Sequence, residues 1–357
     1  MRVVSHSHRF SPADAATCWC VAIIFAILAI CVVASDTAHL LDLDHEHVSP
    51  DKDRGGTSAL DRTRSVIERQ RRQTHSHVEM GRKARHLHHK HDRPVAAVYR
   101  GPVGCEGCSE SVAKLLRDSP PHFRVHYLGP DETHDVSPQT LSHLDLFAWP
   151  GGGDDQNADY LKVANYTKAL RDFVSGGGKY AGFCMGAFLA RGQASNETFF
   201  GLLPEGSWVS SERFEKNAQV KGDEDTIILT DWTFHTGPKK GTTERDRWQY
   251  FQDGGLVHLG PNVPPQTIIK GHYTSTNDVC SAIIPYGKGQ VGLVGVHPEA
   301  DKSWYSDWNG TNPQGIRFDI GHDFIDTLWR ADELQAHPVP STTTSTLPTG
   351  TSTAPTR

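Results

Sequence analysis

Between residues 94 and 333, short apolar runs alternate with segments whose apolar positions recur at helical spacing. VAAVYR (95–100) reads as a strand, and SESVAKLLRDS (109–119) as a helix with Val112, Leu115 and Leu116 on one face. FRVHYLG (123–129) and LDLFAWP (144–150) are further strands, the second stopped by Pro150 ahead of Gly151, Gly152 and Gly153. The segment YLKVANYTKALRDFVSGGG (160–178) sets Leu161, Ala164, Leu170, Phe173 and Val174 at roughly helical spacing, and its glycines end the helix. KYAGFC (179–184) returns to strand and MGAFLARG (185–192) to helix. TIILT (226–230), SAIIPYG (281–287) and QVGLVGV (290–296) have β character, and RFDIGHDFIDTLWRADE (317–333) closes the region as a helix. This order predicts one large α/β domain over residues 94–333, with a mostly parallel sheet flanked by helices.

The flanks follow other patterns. CWCVAIIFAILAICVVA (18–34) is uninterrupted apolar sequence between Arg2 and Arg9 on one side and Asp36, Asp42 and Asp44 on the other. Its 17 residues fall between a long signal-peptide core and a membrane span of roughly 20 residues, so residues 1–35 are expected to be a signal peptide or a signal anchor. Val32 and Ala34 supply small residues for cleavage before Ser35, and without cleavage the charge asymmetry keeps the N-terminus cytosolic. Either outcome places the domain in the secretory pathway, lumen-facing or extracellular, secreted or held by a single membrane pass. Three glycosylation sequons, at Asn165, Asn196 and Asn309, agree with that address.

Residues 36–93 are polar, with ERQRRQ at 68–73 and HLHHKH at 86–91, and read as a disordered stalk without a core. Arg69 to Arg72 have the form of a secretory processing site, and His86, His88, His89 and His91 could take a metal. A solvated linker is the plainer reading of the histidines, so no metal site is assigned. Residues 334–357 are Ser/Thr/Pro-rich and read as a disordered tail. The formal net charge of -6 gives no reason to expect nucleic acid as a partner, and membrane contact is expected only through the N-terminal run. Of seven cysteines, Cys18, Cys20 and Cys31 lie in or beside that run, leaving Cys105, Cys108, Cys184 and Cys280. If Cys184 stays free, a bridge is expected between two of Cys105, Cys108 and Cys280. The Cys105-x-x-Cys108 spacing has the form of a redox pair, but its surroundings are not thioredoxin-like.

Gly182-Phe183-Cys184-Met185-Gly186 has the form G-x-C-x-G at a strand-to-helix turn, the cysteine counterpart of a nucleophile elbow. Such a turn lifts the thiol to the carboxyl edge of the sheet, where the following helix start favours a thiolate and the Met185 amide can meet an oxyanion. A buried structural cysteine is the alternative. Downstream, QVGLVGVHPEAD ends a strand with His297-Pro298-Glu299, which supplies a base and a carboxylate to orient it.

GFCMG followed by GVHPE, with an earlier strand ending in PGGGD, resembles the class I glutamine amidotransferase-like superfamily, a flavodoxin-like three-layer fold with a Cys-His-Glu triad. VYRGPVGC, FAWPGGGD, VSGGGKYAGFCMGAFLA, YFQDGGLV and YGKGQVGLVGVHPE, in that order from about Pro94 to about Trp329, resemble the N-terminal domain of eukaryotic biotin-protein ligases. The resemblance implies Cys184 as nucleophile, His297 as base, Glu299 as its orienting group, and the amides of Met185 and of Gly152 or Gly153 as an oxyanion hole. It implies no cofactor.

Two departures qualify it. Glutamine-hydrolysing members carry Gln four residues after the nucleophile, where this chain has Phe188, so glutaminase activity is not expected. About 20 residues follow the domain, so no biotin-transfer domain and no ligase activity are expected. The function expected is that of a secretory-pathway cysteine hydrolase acting on an amide or ester of a small molecule or peptide through an acyl-enzyme. The alternative is a non-catalytic module that binds a small ligand or protein in the same crevice.

Overall fold

A computed structural model describes residues 93–153, 155–192 and 199–336. The chain enters on β1 (Val95–Tyr99), followed by α1 (Cys108–Asp118), β2 (Arg124–Leu128), the single turn α2 (Pro138–Leu141) and β3 (Leu146–Trp149). It continues through α3 (Gln156–Val163), α4 (Thr167–Ser175), β4 (Lys179–Phe183) and the short α5 (Met185–Ala190). β5 (Trp208–Ser211), β6 (Thr226–Thr233), β7 (Thr243–Phe251), β8 (Gly255–His258), β9 (Ile268–Tyr273), β10 (Val279–Tyr286) and β11 (Gly289–Val294) come next. Three helices close the domain: α6 (Lys302–Asp307), α7 (Asp319–Trp329) and α8 (Ala331–Ala336).

Nine strands form one sheet in the order β2-β1-β3-β4-β11-β10-β9-β6-β7, and β5 pairs with β8 separately. The first five strands of that order are parallel neighbours, with β11 returning beside β4 so that Val294 opposes Phe183. From β11 onward the pairings are antiparallel. Successive residues of β1 and β3 enter different cores: Ala97, Tyr99, Phe147 and Trp149 pack with Val163, Leu170, Val174 and Leu189 from α3, α4 and α5. Ala96, Val98, Leu146 and Ala148 pack with Val112, Leu116, Ile320, Phe324 and Leu328 from α1 and α7. Alternation along a strand thus becomes a helical layer on each side. The result is the three-layer, flavodoxin-like α/β architecture, with a mixed sheet whose parallel strands form the core.

Local chemistry explains two differences from the sequence pattern. The helical stripe of 160–178 is split by a 3₁₀ turn at Ala164–Tyr166, which seats the Tyr166 ring in the core, its hydroxyl donating to Asp135 Oδ1 at 2.6 Å. Leu161 consequently lies 75% exposed rather than on the packed face. α3 starts ahead of the apolar pattern because the Asp155 carboxylate accepts from the amides of Asn157 and Ala158, each at 3.0 Å. At the far side of the sheet, Asn312 and Gln314 side chains bond the outward backbone of β7: Asn312 Nδ2 to Trp248 O at 3.1 Å, Gln314 Nε2 to Asp246 O at 2.8 Å, and Trp248 N to Gln314 Oε1 at 3.3 Å.

The expected membrane anchor needs correction. The longest helices among the described residues, α1 and α7, have 11 residues each, and no described helix is long and apolar enough to cross a membrane. The 18–34 run, the processing site, the histidine run, Asn196 and residues 337–357 lie outside the described residues. Secretion, membrane contact and a lumen-facing address therefore find no support in the structure. Asn165 and Asn309 lie on exposed positions.

Candidate functional site

Cys184 stands between β4 and α5 with φ 46° and ψ −103°, a conformation costly for a residue with a Cβ. Its flanking glycines are required by close approach. A Cβ on Gly182 would lie 2.5 Å from the Gly186 carbonyl oxygen, and one on Gly186 would lie 2.5 Å from the Trp149 carbonyl oxygen. The turn is tied at both ends: Cys184 N donates to Val294 O at 2.9 Å, and Tyr180 Oη donates to Gly186 O at 2.8 Å. The thiol is 8% exposed and donates to the Gln252 carbonyl at 3.7 Å.

His297 follows β11 and is held across the sheet, its amide donating to Tyr250 O at 3.0 Å. Its ring lies among Trp304, at 4.9 Å between centroids, and Tyr250, at 5.9 Å. Nδ1 pairs with Glu299 Oε1 at 2.8 Å, and both residues are buried. Burial pulls the imidazole's pKa down, but the Glu299 carboxylate and the Cys184 sulfur more than offset it, pushing it up to about 10. The Cys184 sulfur is close enough to the ring to be among the causes of that rise. Even so, His297 Nε2 and Glu299 Oε2 are buried without a hydrogen-bond partner.

The structure also brings the PGG turn to this place. A Cβ on Gly151 would lie 2.9 Å from His297 Cε1, and one on Gly152 would lie 3.2 Å from Met185 Cγ. Gly153 is exposed and faces the Asp159 carboxylate instead. Sequence reasoning missed the Gln252 carbonyl, although it lies in the quoted YFQDGGLV segment, and the aromatic wall around His297. It left the bridge open among three cysteines; the structure joins Cys105 to Cys108 and leaves Cys184 and Cys280 free and buried. Burial pushes the Cys280 thiol well up, the mark of an inert core cysteine.

The strand order is consistent with the class I glutamine amidotransferase-like three-layer α/β fold. Residues 96–199 match the family described as "Biotin-protein ligase, N terminal", and a domain of that family is present there. The match takes in Cys184, Met185 and the PGG turn and ends before His297 and Glu299. No curated protein matches the chain. Among solved structures, a glutamine amido transferase from Methylobacillus flagellatus is 14% identical, with 68% of this chain and 93% of that chain covered and a TM-score of 0.38. A cytoplasmic protein from Salmonella typhimurium LT2 is 12% identical over 66% of this chain and 98% of that one, with a TM-score of 0.40. A beta-galactosidase from Bacillus circulans is 11% identical, with 67% of this chain covered and a TM-score of 0.35. The chain spans 31% of that beta-galactosidase's length. At these identities and scores the likenesses carry nothing about activity.

The expected secretory-pathway Cys-His-Glu hydrolase is corrected here. No closed catalytic triad is evident: the thiol bonds to the Gln252 carbonyl, and His297 Nε2 makes no hydrogen bond of normal geometry. No group of three or more metal-ligating side chains occurs among the described residues. The family match identifies a domain and does not assign an activity.

Proposed function

We propose that the domain carries a reactive-cysteine site, in which Cys184 forms a covalent adduct with a small electrophile. His297 takes up and holds the thiol proton, and Glu299 orients and neutralises the imidazolium. The amides of Met185 and of Gly152 receive negative charge that develops on the electrophile's oxygen. The folded module in this reading is 94–333, with 1–35, 36–93 and 334–357 as flanks.

The observation that supports the reading is the backbone of Cys184. Its φ of 46° is held by two hydrogen-bonded strands and two glycines that tolerate no side chain, at the one position that sets a thiol beside a buried imidazole with an unpartnered nitrogen. A core cysteine such as Cys280 needs no such turn. Turnover by hydrolysis is not part of the proposal.

The test is alkylation of the full chain by iodoacetamide, followed peptide by peptide. Cys184 should react while Cys280 stays unlabelled, and His297→Ala should slow Cys184 by about a hundredfold, the lower end of what a positioned proton-transfer partner contributes. Labelling of Cys184 at the same rate with and without His297 would end the reading.

A further inference from the structure

The Cys105–Cys108 disulfide has no place in the reactions described so far. Its cysteines are three residues apart, so it constrains little of the unfolded chain and fixes one local bend. The position of that bend is informative. The segment between β1 and α1 lies directly on the PGG turn: Gly104 and Gly152 form an antiparallel bridge, and Cys105 N donates to Gly151 O at 3.0 Å. The Cβ position on Gly151 that lies 2.9 Å from His297 Cε1 is also 3.4 Å from Cys105 Sγ and 3.8 Å from Cys108 Sγ. The space of one methyl group thus touches the imidazole and both sulfurs.

Access differs across the bridge. Cys108, the first residue of α1, is buried, whereas Cys105 is half-buried beside the exposed Glu106 and Gly107. Cys105 is therefore the member of the bridge nearer to solvent, and the one at which exchange with a small thiol is expected to start. Behind the bridge the site is shut, with Cys184 at 8% exposure and His297 at 3%.

We propose that the Cys105–Cys108 disulfide is a redox gate on the Cys184 site. Oxidised, it holds residues 101–108 down on the PGG turn and the His297 ring; reduced, it lets that segment lift and admits the electrophile. The proposal rests on the reactive-cysteine reading above. The reductant is a low-molecular-weight thiol or dithiol. Its thiolate attacks Cys105 Sγ, the disulfide bond breaks, and Cys108 leaves as a thiolate that takes a proton. A second thiolate attacks the mixed disulfide, releasing Cys105 as a thiol and the reductant as its own disulfide. Two electrons and two protons pass to the protein, and Cys184 takes no part in the exchange.

The experiment uses the full chain in three forms: oxidised, reduced with dithiothreitol that is then removed under argon, and carrying Cys105→Ser with Cys108→Ser. Each is made with and without His297→Ala, and Cys184 alkylation by iodoacetamide is measured by peptide mass. Cys184 should react about tenfold faster in the reduced and double-serine chains than in the oxidised one, as expected when a local opening is made easier. Cys280 should stay unlabelled throughout. Equal rates in the two redox states, with His297 dependence retained, overturn the gate and leave the reactive-cysteine reading standing. Acceleration accompanied by Cys280 labelling also overturns it, because the fold has then opened as a whole. Rates indifferent to His297 in every form overturn the reactive-cysteine reading itself. If the double-serine chain does not fold, the chemically reduced chain decides the matter.

Discussion

At Lys270 and Asp323, on β9 and α7, each polar side-chain atom has a partner, whereas at His297 and Glu299, beside the elbow, two atoms have none. Lys270 Nζ reaches Asp323 Oδ2 at 2.5 Å, Thr327 Oγ1 at 2.9 Å and Thr233 O at 3.3 Å. Asp323 further accepts from Trp232 Nε1, His235 N and Thr236 N, each at 2.9 Å. Burial and the Lys270 charge push His235 down to about 4, which keeps it neutral beside the ammonium. The second couple is as deeply buried but leaves Nε2 and Oε2 unmatched. A saturated network fixes one arrangement, while an unsaturated one leaves bonding capacity for something that arrives. The first therefore reads as structure holding α7 to the antiparallel half of the sheet, and the second is where the proposed reactive-cysteine site lies.

Removing a member of each couple should separate them. Lys270→Ala strands Asp323 as a buried unpaired charge and should cost about 3–5 kcal/mol in urea unfolding. A loss close to zero would show that the network is not structural.

A smaller effect distinguishes them by pH. The folded pKa of His297, about 10, lies above its ordinary 6.5, so the folded state holds that proton more tightly. Its contribution to stability is fully present below about 6.5 and is lost as pH rises through about 10. The advantage of wild type over His297→Gln in urea unfolding should shrink across that window. Lys270 has the opposite sign: burial lowers it from 10.5 to about 8, so between those values the unfolded chain binds more protons and stability gains with rising pH. A His297→Gln difference that stays flat or grows with pH would contradict the couple's charge state.

The smallest effect sets the baseline. Leu161 belongs to neither network and is 75% exposed, so Leu161→Lys should change the unfolding free energy by no more than about 0.5 kcal/mol.

The same contrast shows what could be read from sequence. β1 and β3 are apolar throughout, and β4 and β11 are so after Lys179 and Gln290, because both their faces are covered, so their pattern states their environment. β7 begins Thr-Glu-Arg-Asp and buries only its later residues, so no such run betrays it, and β5, β8 and β9 are likewise missing from the sequence pattern. The elbow is legible because its steric demands fall within five residues, Gly182 to Gly186. The thiol's contact with Gln252 is not, since it depends on where a loop 68 residues away comes to rest. Nor is the Lys270–Asp323 pair, whose partners are 53 residues apart and are joined only when α7 packs on the sheet.

The amide side chains of Asn312 and Gln314 on β7 have one more consequence. An outermost strand normally offers free donors and acceptors onto which a neighbouring molecule can add its own strand. Here Asp246 O and the Trp248 amide and carbonyl are already engaged by side chains that end the ladder without extending it. Two residues of a loop thus occupy part of the β7 edge, at which a stray strand would otherwise dock, the kind of cover that natural sheets use against edge-to-edge aggregation.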